Sequence, residues 1–183
     1  MAPYVGTEAS STPAGAAWQY SHPSSQLGGN ARYALTDNLS VDATVKPDFS
    51  QIESDVPQLV YDPRNALYYS EKRPFFLDGL EQFATPNSLI YTRQIVQPVA
   101  AVTLTGTLGG VDVGVLSAVD NSDASATGTV NPVFNIVRLR RGFGSGWSVG
   151  AALTDREERG DYNRVAGADA VLLFDRIYSV RMQ

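Results

Sequence analysis

The chain has 183 residues, a net charge of −5 and no cysteine, with 43% hydrophobic against 18% charged residues. That suffices for one domain with a sizeable core, yet no apolar run is long enough to cross a bilayer as a helix; the longest uncharged stretch, Gln94 to Val111, is interrupted by Pro98 and a Thr/Gly pattern. No basic face is evident to neutralise phosphates, so nucleic acid is not expected as a partner, and the lack of cysteine removes disulfides, thiolate chemistry and Cys-ligated zinc.

A first strand is expected over Ala2–Thr7. The opening Met1-Ala-Pro-Tyr-Val-Gly-Thr-Glu has neither the basic start nor the apolar core of a signal peptide, which taken alone favours the cytoplasm. Ser10–Gly29 reads as a long polar loop holding His22, the single histidine; with no second His and no Cys, neither a His triad nor a zinc site is expected within the chain. Ala31–Thr36 and Leu39–Lys46 then flank a turn at Thr36-Asp37-Asn38.

After the non-alternating stretch Asp48–Pro98, strand signals return. Val102, Leu104 and Leu108 share one face of a run whose other face is Thr103, Thr105 and Thr107. Beyond Gly109-Gly110, Val111, Val113, Val115 and Val119 share a face, and two alternating runs around two glycines spell a β-hairpin. A polar loop, Asp120–Pro132, leads to Val133–Arg141 and Trp147–Thr154, which flank Gly142–Gly146. These glycines sit between strands with no Lys-Ser/Thr following, so they read as a turn rather than a phosphate loop. A last loop, Asp155–Asn163, precedes Arg164–Phe174 and Ile177–Met182 around Asp175-Arg176.

Each run is about as long as a membrane-crossing strand, and short turns alternate with long loops as in an outer-membrane barrel. A soluble sandwich would alternate less regularly. About nine strands are expected, whereas single-chain bacterial barrels use even numbers, and the last run ends mid-alternation, so the chain is expected to be a fragment of a longer barrel. Arg138 and Arg140 share a face opposite Val137 and Leu139, the polar-in, apolar-out arrangement of a barrel wall. With Arg164 they are the candidates to face a polar lumen.

The stretch between Phe49 and Pro98 concentrates aromatic and charged residues and exceeds any ordinary connection. Asn65–Tyr69 and Leu77–Phe83, the second after Pro74, can form short helices. Asp48, Glu53 and Asp55 lack the Gly and terminal Glu of an EF-hand loop, and a catalytic carboxylate pair needs a defined separation that sequence does not show; structural hydrogen bonding is the expected role. Glu71-Lys72-Arg73-Pro74-Phe75-Phe76 reads as a plug or latch: Glu71 pairs with Arg73 or a wall arginine, Pro74 stiffens the turn, and the phenylalanines anchor in an apolar notch.

Several blocks resemble the domain of unknown function 5916 family: ALTDNLSVDATVKPDFSQIESD (Ala34–Asp55), YSEKRPFFLDGLEQF (Tyr69–Phe83), LIYTRQI (Leu89–Ile95), the hairpin Leu104–Val119 and YNRVAGADAVLLF (Tyr162–Phe174). The resemblance implies a large outer-membrane barrel, often behind a signal peptide and a family-9-like carbohydrate-binding module, neither of which is expected within these 183 residues. Asp48, Phe49, Gln51, Glu53, Asp55 and the Glu71–Phe76 block are then the structural motif that plugs it.

The expectation is an all-β fold: an antiparallel meander forming part of a transmembrane β-barrel, with a mixed, partly helical insert at about 49–98, in a single partial domain over 1–183. The expected function is non-enzymatic, a pore or surface docking segment of the bacterial outer membrane linked to glycan or nutrient handling. No catalytic residue, metal or cofactor is expected; the partners are outer-membrane lipid, carbohydrate and the rest of a longer barrel polypeptide. One alternative is a soluble extracytoplasmic β-sandwich binding carbohydrate through Trp18, Tyr20, Tyr68 and Tyr69; a more distant one is part of a glycoside hydrolase.

Overall fold

The computed structural model describes residues 2–8, 11–14, 17–20, 24–47, 49, 69–125, 127–144, 146–175 and 177–183, with side chains from residue 28 onward. Its strands are β1 (Ala2–Glu8), β2 (Ser11–Ala14), β3 (Ala17–Tyr20), β4 (Ser24–Thr36), β5 (Leu39–Val45), β6 (Pro98–Leu108), β7 (Val111–Asp120), β8 (Val133–Phe143), β9 (Trp147–Glu158), β10 (Asp161–Phe174) and β11 (Tyr178–Met182). Nine of them form one antiparallel sheet in the order β1-β4-β5-β6-β7-β8-β9-β10-β11, while β2 and β3 pair with each other. The all-β meander expected from the alternation is therefore present. It is a single continuous sheet among the described residues, where a sandwich needs two sheets face to face, and β1 and β11 are its two edges.

Two connections differ from expectation. The polar stretch Ser10–Gly29 contains the β2–β3 hairpin and the first residues of β4. Asp155–Asn163 is not a long loop: β9 and β10 run through it to a two-residue turn at Arg159-Gly160, both with positive φ (48° and 91°), as hairpin turns matching strand twist require. The charges that suggested a loop are instead paired along the strands, Arg164 with Asp155 at 2.8 Å and Arg156 with Glu158 at 2.9 Å. Gly109 and Gly110 (φ 57° and 77°) make the expected turn between β6 and β7.

The segment from Tyr69 to Gln97 packs on one face of the sheet. It contains a short helix α1 (Pro74–Leu77) and two 3₁₀ turns, Leu80–Phe83 and Thr92–Gln94. The single helix expected over Leu77–Phe83 is split, because the chain reverses at Gly79 in the left-handed region (φ 69°). A Cβ there would lie 2.7 Å from Thr105 Cγ2, so only glycine permits this approach to β6. Phe75, Phe76, Phe83 and Ile95 are buried against Ala101, Leu116, Ala118, Phe134 and Ile136 of β6, β7 and β8, each large apolar side chain contributing about 1.5–3 kcal/mol.

Alternation then fixes what each face carries. The face under the insert holds Asp42, Thr44, Thr103, Thr105, Arg138 and Asp169, all buried. The opposite face holds Tyr33, Val102, Leu108, Leu139, Trp147, Val149, Leu153, Phe174 and Tyr178, all exposed. The covered face thus combines an apolar core with buried ion pairs and hydroxyls, while much apolar surface is open on the other face, which a water-soluble sheet would bury.

The turns also step regularly. Leu39, Gly106, Val113, Leu139, Ala151 and Ala168 form one register row across the sheet. The last pairs before the successive short turns are Thr36–Leu39, Leu108–Val111, Phe143–Trp147 and Phe174–Tyr178. Counted from that row, each turn lies about two residues beyond the one before, so turns at a common level imply strands inclined by about 35°.

Candidate functional site

The site begins at Glu71 and Arg73. Glu71 accepts from Arg73 Nε at 2.8 Å and Nη2 at 2.7 Å, a bidentate pair, and from Thr92 Oγ1 at 2.6 Å. Its Oε1 also takes the backbone N–H groups of Lys72 and Arg73. The guanidinium donates onward to the Ile95 carbonyl and, at 3.1 Å, to that of Thr92, and lies 4.1 Å from the centroid of the Phe76 ring and 5.3 Å from that of Phe49. Burial raises the Glu71 carboxyl pKa, but the hydrogen bonds from Arg73 and Thr92 outweigh it and hold the group below the ordinary glutamate range. Pro74 begins α1, where its missing N–H costs nothing, and so delivers Phe75 and Phe76 directly onto the sheet.

The return strand is clasped at Asp120. Its carboxylate accepts from the N–H groups of Val96 and Gln97, both at 2.7 Å, and of Asn121 at 3.0 Å. Asp120 is completely buried, and this tie fixes where the insert leaves the sheet and β6 begins.

Beneath the insert lies a row of ion pairs. Arg32 on β4 meets Asp42 on β5 at 2.8 Å and reaches Asp78 of the insert at 3.6 Å. Asp112 on β7 pairs with Arg140 on β8 at 2.9 Å and accepts from Thr107 Oγ1 at 2.9 Å. Arg138, only 1% exposed, reaches across β9 to Asp169 on β10 in a bidentate pair, and its Nε donates to the Ala84 carbonyl of the insert at 3.2 Å. The guanidinium passes over Gly150 so closely that a Cβ there would collide with it. Arginine suits this bridge because its planar fork matches a carboxylate at two points.

The residues singled out in the sequence divide accordingly. Glu71, Arg73, Pro74, Phe75 and Phe76 come together as one latch, with Phe49 against it. Lys72 contributes its backbone. Arg138 and Arg140 stand on the insert-bearing face. Arg164 does not: it lies five positions before Asp169 on the same strand, so it points to the opposite face, where it pairs with Asp155 and lies 4.7 Å from the Tyr162 ring centroid. Asp48, Gln51, Glu53, Asp55, Tyr68, His22, the helix at Asn65–Tyr69 except its last residue, and the side chains of Trp18 and Tyr20 lie outside the described residues. Asp120, Asp169 and Gly150 were not among the expected residues. Asp169 left a trace, as the one charge in the run Val165–Phe174; Asp120 and Gly150 depend on partners distant in sequence. Among the described residues no group of three or more His, Asp or Glu is placed to hold a metal ion.

The family model described as Domain of unknown function (DUF5916) matches residues 1–120, a span that covers β1 to β7 and the whole insert. No curated protein and no solved structure matches the chain.

Proposed function

The chain belongs to the domain of unknown function 5916 family, and on that footing we propose that it is a non-enzymatic segment of a bacterial outer-membrane β-barrel. Its insert occupies the lumen and, with the long connections, shapes a pore or a docking surface for glycans or other nutrients. The observation that carries this reading is the polarity of the sheet: ion pairs and hydroxyls lie beside the apolar core under the insert, while valine, leucine and aromatic residues stand exposed on the other face. A barrel in lipid has this distribution; a sheet in water buries its apolar side instead. The inclination derived from the turn register falls at the lower end of the usual barrel range, about 35–45°.

The test is folding into detergent or lipid vesicles, followed by circular dichroism and by gel mobility with and without heating. The chain is expressed alone and together with its neighbouring coding sequence. A heat-modifiable β-form in lipid is expected from at least one of them. Cooperative folding of the chain as a monomer in plain buffer overturns the proposal.

A further inference from the structure

The exposed face is not uniform along the strands. At the short-turn end it ends in Phe143 and Trp147, which flank one turn, and Phe174 and Tyr178, which flank the next. Trp147 and Phe174 are in edge contact, ring centroids 5.7 Å apart, and the Trp147 indole N–H donates to the Leu173 carbonyl at 2.9 Å. Because each turn steps two residues beyond the last, these four residues share a level once the strands are inclined. One outward position inside this level stands Arg141, exposed, its guanidinium 5.6 Å from the Phe143 ring centroid. No carboxylate among the described residues pairs with it, whereas Arg32, Arg73, Arg138, Arg140, Arg156 and Arg164 each have one.

Farther along the same face the character changes. Ser117, Asn135, Asp155 and Arg164 are consecutive register partners across β7, β8, β9 and β10, a polar row. Between it and the aromatic level the outward residues of β9 are Val149, Ala151 and Leu153. An apolar band bounded on one side by aromatic rings with an unpaired cation, and on the other by a polar row, has the layering of the apolar zone of a bilayer between its two interfaces.

We propose that Phe143, Trp147, Phe174, Tyr178 and Arg141 form the docking surface for a phospholipid leaflet at head-group depth, with Arg141 as the ligand of lipid phosphate. This rests on the barrel reading above. Amphipathic rings settle where the apolar and wet regions meet, and an arginine one position inside that boundary extends its fork outward to phosphate oxygens.

The chain has no cysteine, so Phe143→Cys, Phe174→Cys and Ala151→Cys each give it one attachment point for a fluorophore. The variants are inserted into phosphatidylcholine/phosphatidylglycerol vesicles carrying nitroxide either at the head group or deep in the acyl chain. Labels at 143 and 174 are expected to be quenched more by the head-group nitroxide, and the label at 151 more by the deep one. Arg141→Gln is expected to lower insertion at limiting lipid by about fivefold, with Arg141→Lys recovering most of it. Labels at 143 and 174 that escape both nitroxides in a heat-modifiable β-form overturn the inference and leave the barrel standing. Cross-linking between copies through Phe143→Cys assigns the surface to a second copy and also overturns it. Arg141→Gln inserting like the parent removes the phosphate role. Without any lipid-inserted form, the barrel reading falls first.

Discussion

Gly150 is the residue on which the Arg138–Asp169 pair depends, because the guanidinium occupies the space a side chain would take. Both charges are buried, and a buried charge deprived of its partner costs about 3–5 kcal/mol. Asp169→Ala is expected to lower stability by that amount, and Gly150→Ala to approach it by displacing Arg138 from Asp169. Denaturant unfolding in lipid vesicles measures both. The double substitution Arg138→Met with Asp169→Leu is expected to recover most of the loss, since replacing a whole buried pair by apolar groups is often neutral. A Gly150→Ala variant as stable as the parent would show that the arginine finds another route across β9.

At the scale of elements, the insert is held by a few polar ties and one apolar cluster, and its polar tie responds to pH. Glu71 has a lowered carboxyl pKa in the folded chain, so it binds fewer protons there than when unfolded. The stability it contributes is complete above the unfolded glutamate value of about 4.3, and is lost as pH falls through the lower, folded one. Amide exchange in residues 70–97 is expected to stay slow down to about that pH and to quicken below it. Glu71→Gln should show faster exchange at neutral pH, with this acid step diminished. The latch was legible because its members lie within six residues and combine a charge pair, a proline and two phenylalanines. The clasp at Asp120 was not, because its partners Val96 and Gln97 offer only backbone N–H groups, which every sequence position carries. The hairpin through Asp155–Asn163 was misjudged for a related reason: charged residues resemble a loop until the register sets Arg164 beside Asp155. The face of Arg164 likewise follows only from the length of the turn before it, since shifting the register by one residue exchanges the faces.

At the scale of the whole molecule, the polarity of the two faces makes a prediction that separates lipid from water. Val115 stands on the outward face of β7, between Leu104 and Val137 in register. If that face meets acyl chains, Val115→Arg costs about 2–4 kcal/mol near the bilayer midplane. Ordinary exposed sites change by only about 0.5 kcal/mol either way. Equilibrium folding of the variant and the parent into vesicles reads the difference. Most of the strand pattern and the faces of β6 to β8 were legible from alternation; the inclination was not, because it is a property of four turns taken together.

Alternation has a consequence for the chain before it folds. Many outward apolar residues alternate with polar ones, the mean hydropathy is −0.14, and no helix among the described residues is long and apolar enough to cross a membrane. The chain, while its strands are still extended, has its apolar side chains divided between the two faces of each strand. Its greasy coat comes into being only when neighbouring strands zip together and gather every second side chain onto one side. On the barrel reading proposed above, affinity for lipid is thus a product of assembly rather than of any one segment.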